Sequence, residues 1–118
     1  MKTLIVGAST HPGRYAYLAA NRLLSYGHEI VLLGKENGEV AGYPILHGKP
    51  ELEGIDTITL YINPTRQPEL YEYMLSLKPK RIIFNPGTEN PEFEAMAEER
   101  GVQALEACTL VMLGTGQY

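Results

Sequence analysis

Residues 3–6 make a short apolar strand that runs straight into Gly7-Ala8-Ser9. Past His11, Pro12, Gly13 and Arg14 the chain becomes an Ala/Leu-rich helix. No other stretch constrains the fold as tightly. A strand, a glycine turn and an amphipathic helix form half of a βαβ unit, whose next strand must lie parallel to the first. Such a turn also presents backbone N–H groups at a helix start, where a phosphate is favoured. Ser9 adds a hydroxyl donor, and Arg14 can pair with a phosphate bidentately. The spacing is not that of the dinucleotide fingerprint, G-x-G-x-x-G. The second glycine, Gly13, stands six residues after Gly7,.

The same alternation continues along the chain. A helix is expected over residues 14–26, stopped by Gly27, and a second strand over 29–33. Residues 34–56 are broken by Gly34, Gly38, Gly42, Pro44, Gly48, Pro50 and Gly54 and read as loop,. Within them 43–46 is a short extended piece and 50–52 a short helical turn. A third strand follows at 57–62, and then a helix over 67–77 with Leu70, Met74 and Leu77 on one face,. The fourth strand is 81–84. Asn90-Pro91-Glu92 opens a helix that runs to residue 100, by N-cap, proline at the first helical position and acid in the first turn. The fifth strand is 103–105, residues 108–113 are ambiguous between strand and helix, and 114–118 read as a frayed tail. The strands are apolar nearly throughout, as strands covered on both faces are. Right-handed crossovers then predict one α/β domain over residues 1–118: a three-layer sandwich on a five-stranded parallel sheet of order 3-2-1-4-5. The switch point falls between the first and fourth strands. Ligands bind beyond the carboxyl ends there, which singles out the loops starting at Gly7, Gly34, Asn63 and Asn85.

Composition bounds the function. No apolar run is long enough for a membrane span, and the N-terminus lacks the pattern of a signal peptide,. The net charge is −4 without a basic block, which argues against a nucleic-acid surface,. One cysteine, Cys108, precludes an internal disulfide and fits a reducing cytoplasm,. His11, His28 and His47 have no metal-ligand spacing, so no metal is expected. The Tyr-x-x-x-Lys of short-chain dehydrogenases and the Gly-x-Ser-x-Gly nucleophile turn are both missing,. No catalytic set emerges, and the expectation is a protein that is not an enzyme.

The end of the second strand discriminates between nucleotides. An NAD site places an acid there for the ribose hydroxyls. This chain has Leu33-Gly34-Lys35, with Glu36 one step further. A small residue and a cation suit a phosphorylated ribose, either NADP or coenzyme A.

Several stretches together resemble the stand-alone CoA-binding domain proteins of bacteria. These are related to the nucleotide-binding domain of the succinyl-CoA ligase α subunit and of ADP-forming acyl-CoA synthetases. The resemblance rests on Val6-Gly7-Ala8-Ser9 with Pro12 and Arg14-Tyr15, on Gly27-His28-Glu29-Ile30, and on Gly38-Glu39-Val40, Gly42 and Tyr43-Pro44. Pro64, Gly87, Gly101 and Cys108 extend it over nearly the whole chain. It implies a Rossmann-like fold that binds coenzyme A, with the phosphates at the Gly7–Ser9 turn and the adenosine between the loops after the second and third strands. The ATP-grasp and phosphohistidine chemistry of the ligases belongs to other domains, so no ligase activity is implied. The chain departs from the family pattern after the second strand, where Gly34-Lys35-Glu36 replaces Asn-Pro-Lys. It departs again at Ile62-Asn63, where paired arginines are frequent, at Asn85-Pro86-Gly87, where a Gln is usual, and at Ala107-Cys108, where an Arg-Cys step is usual.

The expected ligand contacts are Gly7, Ala8 and Ser9 by backbone and hydroxyl, Arg14 and Lys35 by charge, and Asn63, Pro64 and Asn85 as walls, with Tyr15 and Gly34 beside them. The expected function is non-catalytic binding of coenzyme A or an acyl-CoA. Two other readings fit the residues: an NADP-binding redox or sensor protein, and an interaction module on a degenerate fold. In the last, apolar residues 109–113 cover a sheet edge or form a homodimer seam.

Overall fold

The computed structural model describes all residues, Met1–Tyr118. In chain order the elements are β1 (Lys2–Val6), α1 (Tyr15–Ser25), β2 (Glu29–Leu33), β3 (Glu39–Val40), β4 (Tyr43–Leu46), β5 (Thr57–Leu60), α2 (Tyr71–Ser76), β6 (Arg81–Phe84), α3 (Pro91–Glu99), β7 (Gln103–Glu106) and α4 (Thr109–Gly114). Two 3-10 turns, Pro64–Arg66 and Pro68–Leu70, precede α2.

The sheet has seven strands in the order β3-β4-β2-β1-β5-β6-β7, parallel everywhere except between β3 and β4. This corrects the expected five-stranded 3-2-1-4-5 arrangement. Residues 43–46 are a genuine strand: Leu32 pairs with Ile45 and Leu33 with Leu46. That strand takes the place beside β2 that was expected for residues 57–62, and β5 pairs with the other side of β1 instead. The switch point therefore lies between β1 and β5, not between β1 and the strand at 81–84. The extended piece expected at 43–46 is β4, but glycine and proline density hid its place in the sheet. Its pairing with β2 is only two residues long, and Pro44 needs no ladder hydrogen bond at that position near the edge,.

Side chains of β1 alternate between two cores. Leu4 and Val6 face a cluster with Tyr71, Met74, Leu75, Phe93 and Ala97 from α2 and α3. Ile5 faces a cluster with Ala16, Ala20 and Leu23 of α1 and Leu113 of α4. Helices thus cover both faces, which explains why β5 carries no exposed residue,.

Helix ends follow local chemistry. Gly27 at φ +85 closes α1, with the Gly27 amide donating to Leu24 O and the His28 amide to Leu23 O, a Schellman pair,. Asn90 caps α3 by accepting from the Phe93 amide, and Pro91 follows it. The expected helix over 67–77 is shorter: Pro68–Leu70 form a 3-10 turn and the α-helix starts at Tyr71. The expected turn at 50–52 is absent, and the Pro50 carbonyl instead accepts the Tyr73 hydroxyl at 2.6 Å.

In the C-terminal stretch the open choice between strand and helix falls to helix. Residues 109–114 are helical, and α4 packs on α1 with Thr109, Met112 and Leu113 buried. They fill this chain's own core, leaving Val111 as the exposed large apolar residue of that helix. Residues 114–118 are anchored, not frayed. The Gln117 amide donates to Met112 O at 2.8 Å, Arg81 lies 4.5 Å over the Tyr118 ring, and Tyr118 shares a hydrogen bond with Thr3. No helix is long and apolar enough to cross a membrane.

Candidate functional site

A two-lobed groove crosses the carboxyl ends of the strands at the switch point. The first lobe, about 250 Å³, lies over Val6, Leu33, Ile62 and Leu70, and its polar rim carries Lys35, Lys49, Arg66 and Glu69. The second, about 450 Å³, runs from Gly13, Arg14, Tyr15 and Ala16 at the start of α1 to Asn63 and the loop Pro86-Gly87-Thr88. Gly7, Ile62 and Arg66 belong to both lobes. Four cations and a single acid line the whole groove, and the second lobe has no acid at all.

Gly7 is required where the lobes meet. Its φ is +95, and a Cβ there would stand 2.8 Å from Ile62 Cγ2 and 2.9 Å from the Tyr61 carbonyl carbon. Its amide is bonded within the chain, however. The Gly7 and Ala8 amides both donate to Leu33 O, at 2.8 and 3.0 Å. The Thr10 amide donates to Glu36 Oε1 at 3.0 Å, and the His11 amide to Ser9 Oγ at 3.1 Å. The Gly7 and Ala8 amides, expected at the phosphates, are thus held by the chain itself: turn and second strand satisfy each other. Gly34 is small for the same reason, since a Cβ would meet Ala8 O at 2.8 Å.

Free donors lie one step further on, at α1. Arg14 is its N-cap residue in an extended conformation, with no side-chain cap and no acid in the first turn. The amides of Tyr15, Ala16 and Tyr17 have no acceptor in the chain. An uncapped, acid-free helix start beside an arginine favours an anion.

The remaining expected residues divide. Lys35 lines the first lobe, and Asn63 lines the second. Asn63 Oδ1 also accepts from the Thr65 amide at 3.1 Å and from the Thr65 hydroxyl, starting the 3-10 turn that Pro64 opens and Arg66 ends. Pro64 lies in the same 3-10 turn as Arg66 and lines neither lobe. Asn85 is not a wall. It is buried, its Nδ2 donates to Thr59 Oγ1 at 2.6 Å and Leu60 O at 2.8 Å, and its Oδ1 accepts from the Thr109 amide at 2.9 Å. Every polar group of that side chain knits β5, β6 and α4 together. Ala8 and Ser9 are buried and line neither lobe.

Sequence reasoning missed Lys49, which stands in a segment with no motif of its own, and Arg66, which ends the loop singled out at Asn63. It also missed Gln67, fully buried, whose Nε2 donates to Ile62 O at 3.1 Å and Thr88 O at 2.8 Å. Asn90 Nδ2 donates to Gln67 Oε1 at 2.9 Å and to the Tyr71 hydroxyl at 2.7 Å. This network fixes the two loops that flank the second lobe. Burial pushes the Tyr61 phenol in that lobe up to about 12, so it remains a neutral hydroxyl at physiological pH,.

Fold and groove define a doubly wound α/β protein with an anion-favouring cleft at its switch point. The comparisons give that class a name. A family model described as "CoA binding domain" matches residues 1–114, and the chain belongs to that family. A crystal structure of an uncharacterized protein is 56% identical, with TM-score 0.98, and the match covers 99% of this chain and 97% of that one. A conserved hypothetical protein from Pyrococcus furiosus is 25% identical, with TM-score 0.80 and coverage of 93% and 97%. A Thermus thermophilus protein shares the fold at 19% identity, TM-score 0.86 and coverage of 99% and 90%. No curated protein matches.

Proposed function

We propose that this chain binds coenzyme A or an acyl-CoA in the two-lobed groove and does no chemistry on it. The observation that carries the reading is the distribution of charge over an apolar floor. Lys35, Lys49 and Arg66 surround the lobe formed by Val6, Leu33, Ile62 and Leu70, while Arg14 and the open α1 amides stand in the other. A phosphorylated adenosine suits the first lobe, with its ring on the apolar floor and its ribose phosphate among three cations. The pyrophosphate then reaches the second lobe through Arg66, and the pantetheine arm continues past Tyr61 and Asn63. The family supports a CoA-binding role in general.

Calorimetry with CoA, dephospho-CoA and NADP tests this. CoA is expected to bind more tightly than dephospho-CoA. Arg66→Met is expected to weaken CoA by about 1.5–3 kcal/mol, tenfold or more, the range for a hydrogen bond to a charged group. Absence of CoA binding at millimolar concentration, alongside tight NADP binding, overturns the reading. NADP is the second reading because the same three cations suit a 2′-phosphate and the acid after β2 is turned elsewhere.

A further inference from the structure

We propose that Glu36 is a specificity-determining residue: its carboxylate sits on the Thr10 donors as a tethered anion, so the glycine turn refuses a ligand phosphate. The turn has the donors that a phosphate uses, and the chain fills them from within. Glu36 Oε1 accepts from the Thr10 amide at 3.0 Å and from the Thr10 hydroxyl at 2.8 Å. His11 Nε2 stands 3.8 Å away. One carboxylate thus takes both the amide and the hydroxyl of Thr10, donors that an oxyanion would use, with an imidazole close by,. These hydrogen bonds, the Thr10 amide first, hold the Glu36 carboxyl at about 2, so the charge is present at every physiological pH,.

Glu36 lies beyond the end of β2, where dinucleotide sites place an acid for the ribose, yet it lines neither lobe of the groove,. Its direction is therefore towards the turn. With the Gly7 and Ala8 amides held by Leu33 and the Thr10 amide by Glu36, a dinucleotide pyrophosphate laid on the turn in the usual manner meets a fixed negative charge. Ligands whose phosphates lie along α1 and the groove cations escape that repulsion. The inference goes beyond the CoA reading and does not depend on it, because its probe is inorganic phosphate.

The test follows the Ser9 and Thr10 amides by NMR of uniformly ¹⁵N-labelled protein during titration with phosphate. In the wild type, Thr10 is expected to stay unmoved. In Glu36→Ala, Thr10 is expected to shift with saturation, at an affinity at least tenfold above any wild-type response at that site. Glu36→Gln keeps an acceptor for the Thr10 amide and removes the charge, and is expected to respond between the two. Should Glu36→Ala fail to fold, the Gln variant carries the same comparison. A Thr10 response in the wild type equal to that of the variants overturns the proposal, and so does a silent Thr10 in a folded variant. A merely structural tie between the loops would lower stability without creating a phosphate response.

Discussion

Single residues decide what the turn can do. Gly7 admits no substituent: alanine there combines a left-handed backbone, costing about 1–2 kcal/mol, with a Cβ 2.8 Å from Ile62, a clash of about 1–3 kcal/mol,. Gly7→Ala is expected to lose roughly 2–4 kcal/mol in urea unfolding, and a loss below about 1 kcal/mol would contradict the geometry. Glu36 has a signature in acid. Its carboxyl titrates at about 2 in the folded protein against an ordinary 4.5, so between those values the folded state binds fewer protons,. The stabilisation is complete above about pH 4.5 and is lost as pH falls towards 2. Melting temperatures from pH 6 to 2.5 should therefore fall less steeply in Glu36→Gln than in the wild type, and parallel curves would show that the carboxylate contributes nothing. The residues around it, Ser9, Thr10 and His11, were legible as a turn, but the identity of its anion was not. A sequence shows that Glu36 is three positions beyond a strand, and cannot show which way it points.

At the scale of elements, local chemistry was a good guide wherever an element is defined by its own ends. The start of α3 and the ends of both α1 and α3 fall where capping rules place them, since those signals lie within a few residues of the helix,. Strand β3 escaped because its two residues leave no periodicity to read. The turn into β4 is also strained: Ala41 has φ +53, followed by Gly42 at +87, a pair of positive φ values that favours Gly or Asn. Ala41→Gly relieves about 1–2 kcal/mol of left-handed strain and loses about 0.4–1 kcal/mol to unfolded-chain entropy. A net gain of roughly 0.5–1 kcal/mol is expected from denaturant midpoints, and destabilisation would contradict the strained turn. Glycine and proline marked residues 34–56 as loop; within them β4 became a strand only because β2 offered it a ladder.

For the whole molecule, the groove and the Tyr118 anchor lie at opposite poles of the sheet. The groove stands beyond the last residues of β1, β2 and β5, whereas Tyr118 meets Thr3 and Arg81, at or near the first residues of their strands. Bound CoA is expected to slow hydrogen exchange together in residues 13–17, 34–36 and 62–66, and to leave amides near Tyr118 unchanged relative to the shift in global stability. Protection confined to one of the three loops would mean that the two lobes are not one site.

Much of this protein follows from its sequence alone. Apolar strands alternating with capped helices impose an α/β domain, because period and capping are properties of neighbours along the chain. The position of the groove beyond the strand ends follows from that class. Strand order, the partners of the turn amides and the meeting of Lys35, Lys49 and Arg66 were decided only in three dimensions. Each depends on contacts between residues far apart in the chain, which compete for the same hydrogen bonds and the same space. The glycine turn looked open to a phosphate, and folding brought Leu33 and Glu36 to its donors first.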